Sequence, residues 1–137
     1  MWLLFAFGSA LFAGLTAILA KCGIRNTDSN VATALRTGVV LIFSWIMVFV
    51  VGAQSGIRDI SEKVLIFLIL SGLSTGISWL CYYRALQTGP ASVVVPIDKL
   101  SILVTIAFSY MVFHEKLLLK SGTGLILIVV GTLALLI

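Results

Sequence analysis

The sequence predicts an all-α transmembrane protein, a bundle of five membrane-crossing helices. Three observations predict it. Of 137 residues, 61% are hydrophobic and only 10% are charged, whereas soluble chains average about 25% charge. Apolar runs of about 20 residues recur, long enough to cross hydrocarbon as helices. Those runs are apolar on all sides, not alternating over about 10 residues as barrel strands do, so helices are favoured over a barrel.

The elements follow in order. The first helix covers about 2–21. It is apolar from residue 2, and its first cation, Lys21, comes after the apolar run. A signal peptide carries its charge before that run, so this segment reads as a retained helix. The polar break "KCGIRNTDSN" precedes a second helix at about 31–53, and "AQSGIRDISEK" precedes a third at about 64–86. The short "QTGP" turn makes the fourth helix, about 91–113, an antiparallel neighbour of the third. "HEKLLLK" leads into a fifth at about 119–137, so 1–137 forms one transmembrane domain. Each span crosses roughly 30 Å at 1.5 Å per residue.

An odd number of spans puts the termini on opposite sides. The side of the N-terminus carries Arg58, Lys63, Lys116 and Lys120; the other carries Lys21, Arg25, Arg36 and Arg84. Orientation follows Lys/Arg bias, and here there is none. Either one orientation is weakly encoded, or the chain inserts both ways and pairs antiparallel. The net charge of +4 fits cations at lipid headgroups. Nucleic acid is not an expected partner, since no basic run is interleaved with aromatics outside the apolar segments.

Helix packing in lipid uses small residues that let backbones approach. Ala6, Ala10, Gly14 and Ala17 share one face of the first helix. Gly72 and Gly76 form a GxxxG pair in the third, and Gly124 and Gly131 share a face of the fifth. These are the candidate packing or dimerisation positions.

A polar constellation lies inside the apolar spans. Ser71, Thr75, Ser78 and Tyr82 make one stripe on the third helix, with Trp79 and Tyr83 beside it. Arg36 lies roughly 8 Å into the second helix, Trp79 about 10 Å from the end of the third, and Asp98 and Lys99 about 10–12 Å into the fourth. All sit at one depth from the same side. Charge there costs several kcal/mol unless paired or hydrated. Adjacent helical residues point about 100° apart, so Asp98 is expected to pair with Arg36 rather than Lys99. Pro96 has no N–H and frees a carbonyl near residue 92. Two readings stand: kink and charges line a polar cavity, or Lys99 snorkels and Asp98 is a structural ion pair. Hydroxyls bonding back to their own helix would account for part of the stripe.

His114 and Glu115 read as a helix stop rather than a proton relay. Cys22 and Cys81 are isolated and read as buried apolar residues, not a disulfide or metal pair. No metal-ligand spacing, phosphate loop or nucleophile–base pair is evident, so neither cofactor nor enzymatic activity is expected. No ring of acidic residues or carbonyl filter motif suggests a channel.

Residues 82–137, "YYRALQTGPASVVVPIDKLSILVTIAFSYMVFHEKLLLKSGTGLILIVVGTLALLI", resemble the C-terminal part of an EamA domain of the drug/metabolite transporter superfamily. The features are "RAL" before a "GPA" turn, Pro96 in the next helix, Glu115 at its end and a Gly-rich last helix. "PIDKL" resembles the short five-span bacterial and archaeal members. The earlier half, with Lys21 ending helix one and Arg36 in helix two, is similar less specifically.

The resemblance implies one inverted-repeat half of a ten-helix transporter, completed by an antiparallel homodimer that moves small metabolites or drug-like solutes by alternating access. A half of a heterodimer, or a non-transporting membrane subunit, is the alternative. It further implies a multi-pass protein of a prokaryotic cell membrane, with solute and lipids as partners. Arg36, Ser71, Thr75, Ser78, Trp79, Tyr82, Tyr83, Pro96, Asp98 and Lys99 are the candidate pathway residues. Four-helix small multidrug resistance proteins carry an acidic residue in helix one. Residues 2–20 here have none, which speaks against export of lipophilic cations by that route.

Overall fold

The computed structural model describes residues 1–114 and 119–137, with the side chains of residues 119 and 120 outside the description. Glu115, Lys116 and the side chain of Lys120, used above for the helix stop and the charge count, therefore lie outside the described residues. Among the described residues, every regular element is helical. They are α1 (Trp2–Gly23), α2 (Ser29–Val51), a 3-10 helix (Ala53–Asp59), α3 (Glu62–Thr88), α4 (Ala91–Asp98), α5 (Ser101–Phe113) and α6 (Leu119–Ala134). Among the described residues, four apolar segments are long enough to cross a membrane: Trp2–Gly23, Ser29–Val51, Glu62–Thr88 and Ala91–Phe113. The last described helix is shorter, with 16 residues, or about 24 Å of rise.

The chain divides into two compact units, residues 18–88 and residues 1–17 with 89–137. In the first, α2 and α3 pack together, joined through the 3-10 helix that folds against α2. Thr27 meets Gln87 and Arg36 meets Trp79, so the two helices run antiparallel. Local chemistry sets the ends. Asp28 caps α2, its carboxylate accepting from the amides of Asn30 at 2.8 Å and Val31 at 3.3 Å. Gly52 ends α2 at φ 74°, its N–H reaching the Phe49 and Val48 carbonyls. That left-handed turn suits a residue without Cβ. Ser61 opens α3, its carbonyl accepting from Leu65 at 3.0 Å and its hydroxyl from Val64 at 3.4 Å.

The core of this unit lies at the end shared by the α1–α2 turn and the C-terminus of α3. Ile24 and Leu86 are fully buried, with Tyr83, Ser29 and Thr33 beside them in burial. Lys21 Nζ donates to the Leu86 carbonyl. Gln87 Nε2 donates to Thr27 O at 2.9 Å and Ile24 O at 3.4 Å. These bonds satisfy carbonyls that helix ends leave without partners. Elsewhere the helices show bare apolar surface: Phe43 is 64% exposed and Phe67 71%. In water this would be untenable; lipid tails are its natural solvent.

In the second unit, α4 packs against α6. The fourth span is not one helix. It breaks at Lys99–Leu100, where ψ flattens to −12° and −15°. There the amides of Leu100, Ile102 and Leu103 bond three residues back, at 2.9–3.1 Å. The break thus falls three residues after Pro96, which lies inside α4. α5 ends at His114, which takes φ 51°, an uncommon conformation for a residue with a Cβ.

Candidate functional site

Hydroxyls in the spans are largely satisfied within their own helices. Thr33, Thr37, Ser44, Thr75 and Thr132 each donate to the carbonyl four residues back at 2.7–2.8 Å. Of the predicted stripe, Thr75 therefore bonds the Ser71 carbonyl. Ser71, Thr75 and Ser78 are exposed along α3, while Trp79 and Tyr82 are half-buried and Tyr83 is buried.

The structure brings Arg36, Trp79, Tyr82 and Tyr83 together. The Arg36 guanidinium carbon lies 3.4 Å above the Trp79 ring centre and 6.0 Å from that of Tyr83. At 3.4 Å the guanidinium must lie nearly flat on the indole. Tyr82 and Tyr83 meet Trp79 edge to face, at 5.3 Å and 83° and at 5.7 Å and 85°. The two tyrosines lie 6.4 Å apart. Such edge contacts match the ring quadrupole and contribute about 0.5–1.5 kcal/mol each. A desolvated cation–π stack contributes about 2 kcal/mol. Arg36 lies seven residues beyond Ser29, the first residue of α2, or roughly 10 Å along it. Trp79, with Tyr83 farther off, thus holds a charge within the span.

Pro96, Asp98 and Lys99 belong to the other unit. Lys99 Nζ stands 3.7 Å from Asp98 Oδ2, with side chains 59% and 39% exposed. The expected partnership of Asp98 with Arg36, chosen over Lys99 because neighbours diverge on a helix, is corrected in this respect: the neighbours do pair. A lysine stem is long and flexible enough to span that angle. The contact is an ion pair beyond hydrogen-bond length, and accessible pairs of this kind add little stability. Arg36 in turn finds its contacts on ring faces.

A Cβ built on Gly72, Gly76, Gly124 or Gly131 meets nothing within 4 Å in the unit that carries it. These positions are open. Cys22 and Cys81 are free thiols and exposed, not buried as the sequence suggested. Among the described residues, no group of His, Cys, Asp and Glu is arranged to hold a metal. A separate apolar depression of about 230 Å³ lies between α2 and the 3-10 helix, lined by residues including Trp45, Val48 and Ile57.

Sequence reasoning missed the tie of Lys21 and Gln87 to the backbone at the α1–α2 and α3 ends. The signal was present: both loops fall on the same side of the membrane, so a long polar side chain at one can reach carbonyls of the other.

Comparison with known proteins gives the wider frame. The EamA-like transporter family matches residues 1–137. A Sinorhizobium protein named as an uncharacterized transporter in the cobO 3′ region is 42% identical over 98% of this chain and 95% of its own. An uncharacterized protein of Methanocaldococcus jannaschii is 32% identical over 69% of this chain and 75% of its own. The uncharacterized transporter YvbV of Bacillus subtilis is 32% identical over 92% of this chain but only 41% of its own length. No solved structure matches the chain. With relatives in bacteria and an archaeon, and with its apolar helices long enough to span, this is a prokaryotic membrane protein, and it belongs to the EamA-like transporter family.

Proposed function

We propose that the chain is half of a secondary transporter for small metabolites or drug-like solutes, working by alternating access as an antiparallel homodimer. The observation that carries this is the mismatch in length. The chain matches 95% of the Sinorhizobium relative but 41% of YvbV, so the longer relative has room for a second copy of the same unit. Two halves of opposite orientation suit alternating access, because exchanging their conformations turns the site from one side to the other. The even distribution of Lys and Arg between the two sides supports insertion both ways. The open faces at Gly72, Gly76, Gly124 and Gly131 suit close approach by another helix.

Arg36, Trp79, Tyr82 and Tyr83 are proposed to line the solute path, together with the Ser71–Thr75–Ser78 stripe. Pro96, Asp98 and Lys99 are proposed to contribute an interrupted helix and one pair of charges. Broken spans are where transporters expose backbone and charge to solute.

The test is topology. Reporters active only inside or only outside the cell are fused to Ile137 at low expression. Signal from both, with disulfide cross-linking between oppositely oriented copies, supports the homodimer. Signal from one reporter alone refutes dual insertion and directs the search to a second, oppositely oriented chain.

A further inference from the structure

We infer that Arg36 is the anion-binding group of the solute path, and that the solutes carry a carboxylate or phosphate on an apolar or planar body. This deepens the transporter reading and rests on it. The argument begins with the stack. A guanidinium flat on Trp79 at 3.4 Å spends its face, not its edge. Its N–H donors point outward in the guanidinium plane, in the fork that matches a carboxylate or phosphate. The ring fixes that fork, so an arriving anion meets donors already oriented.

The second observation is charge. Within residues 18–88 the carboxylates are Asp28, Asp59 and Glu62. Asp28 is engaged in capping α2. Asp59 ends the 3-10 helix and Glu62 begins α3; along α3, Glu62 is roughly 25 Å from Trp79 at 1.5 Å per residue. None neutralises Arg36 within its unit. A cation at that depth calls for an anion, and a solute can bring one.

The third is the wall around it. Tyr82, half-buried and perpendicular to Trp79, leaves ring surface open near the stack, while the buried Tyr83 backs the indole at 85°. Such a surface accepts an apolar or planar body. It does not suit a cationic solute. The Trp79 face, the feature by which aromatic sites hold cations, is covered by Arg36, which also repels a second positive charge. The competing account is a lock, in which the stack only fastens α2 to α3. A lock has no preference among solutes.

The experiment uses the full chain purified in detergent micelles, with Trp2→Phe and Trp45→Phe so that Trp79 is its one indole. It is titrated with benzoate, phenyl phosphate, benzamide and benzylammonium. The expected result is a saturable change in Trp79 emission with benzoate or phenyl phosphate, at least tenfold tighter than with the neutral or cationic analogue. Arg36→Lys weakens it and Arg36→Gln removes it. An equal response to benzamide, a preference for benzylammonium, no saturable response to either anion, or an anion response that survives Arg36→Gln overturns the inference. If Arg36→Gln does not fold, the four-probe series on the unsubstituted Arg36 protein decides alone. Flux in proteoliposomes separates the two readings. Arg36-dependent anion binding without flux refutes the transporter reading only. Flux of a cationic solute unaffected by Arg36→Gln refutes the anion site only.

Discussion

The Arg36–Trp79 stack is predicted to be the strongest single side-chain link between α2 and α3, and a double-mutant cycle measures it. Trp79→Leu removes the guanidinium contact at 3.4 Å and two edge-to-face pairs, at 5.3 and 5.7 Å. Taking about 1–2 kcal/mol for a half-buried cation–π contact and about 0.5–1.5 kcal/mol for each ring pair, the loss is about 2–5 kcal/mol. Arg36→Met keeps most of the apolar stem and removes the charge, so it loses only the stack. The coupling energy of the cycle is then about 1–2 kcal/mol, below the ideal value because Arg36 is only half-buried. The assay is equilibrium unfolding of the purified protein in mixed micelles, followed by helical circular dichroism. Independent sites add to within about 0.3–0.5 kcal/mol. A coupling inside that margin would show that the stack fastens nothing and would refute the geometry argued for it.

Three further outcomes are expected in the same unfolding assay. Gln87→Leu removes the bonds to Thr27 O and Ile24 O and should cost about 1–2 kcal/mol, since it strands carbonyls in a part-buried corner; a neutral effect would mean water replaces the amide freely. Gly52→Ala should cost about 1 kcal/mol. Its Cβ meets nothing within 4 Å, so the whole effect is the left-handed φ of 74°, and Gly52→Asn should recover part of it. Lys99→Ala should change stability by less than about 0.5 kcal/mol, because its ion pair with Asp98 is long and accessible. In proteoliposomes the same variant should lose flux if Lys99 serves the solute path; unaltered flux removes it from the path.

Among the described residues, four helices reach spanning length, not the five expected. That the chain is all-helical with long apolar spans was legible in its sequence, because lipid imposes one rule on the backbone everywhere. Backbone groups in hydrocarbon must bond within their own segment, so a long apolar run has a single outcome, and composition announces it. The caps are equally local, though the sequence reading did not single them out: Asp28 and Gly52 act on amides and carbonyls within four residues of themselves. The common depth of Arg36 and Trp79 followed from counting 1.5 Å per residue along two helices.

Which groups at that depth touch was decided by the tertiary structure. Depth counting put Arg36 and Trp79 at one level but did not name them as partners; the fold lays the guanidinium on the ring, and in the other unit Lys99 stands within reach of its neighbour Asp98. Opposite charge attracts in every direction and names no partner, while stacking requires a ring face at one rotation of α3 about its axis. Rotation and approach of helices are set by packing along their whole length, as at Ile24 and Leu86. The break at Lys99–Leu100 is of the same kind. Proline marks where a helix is weakened, but the three-residue bonds that interrupt the span fall at Lys99–Leu100, three residues on.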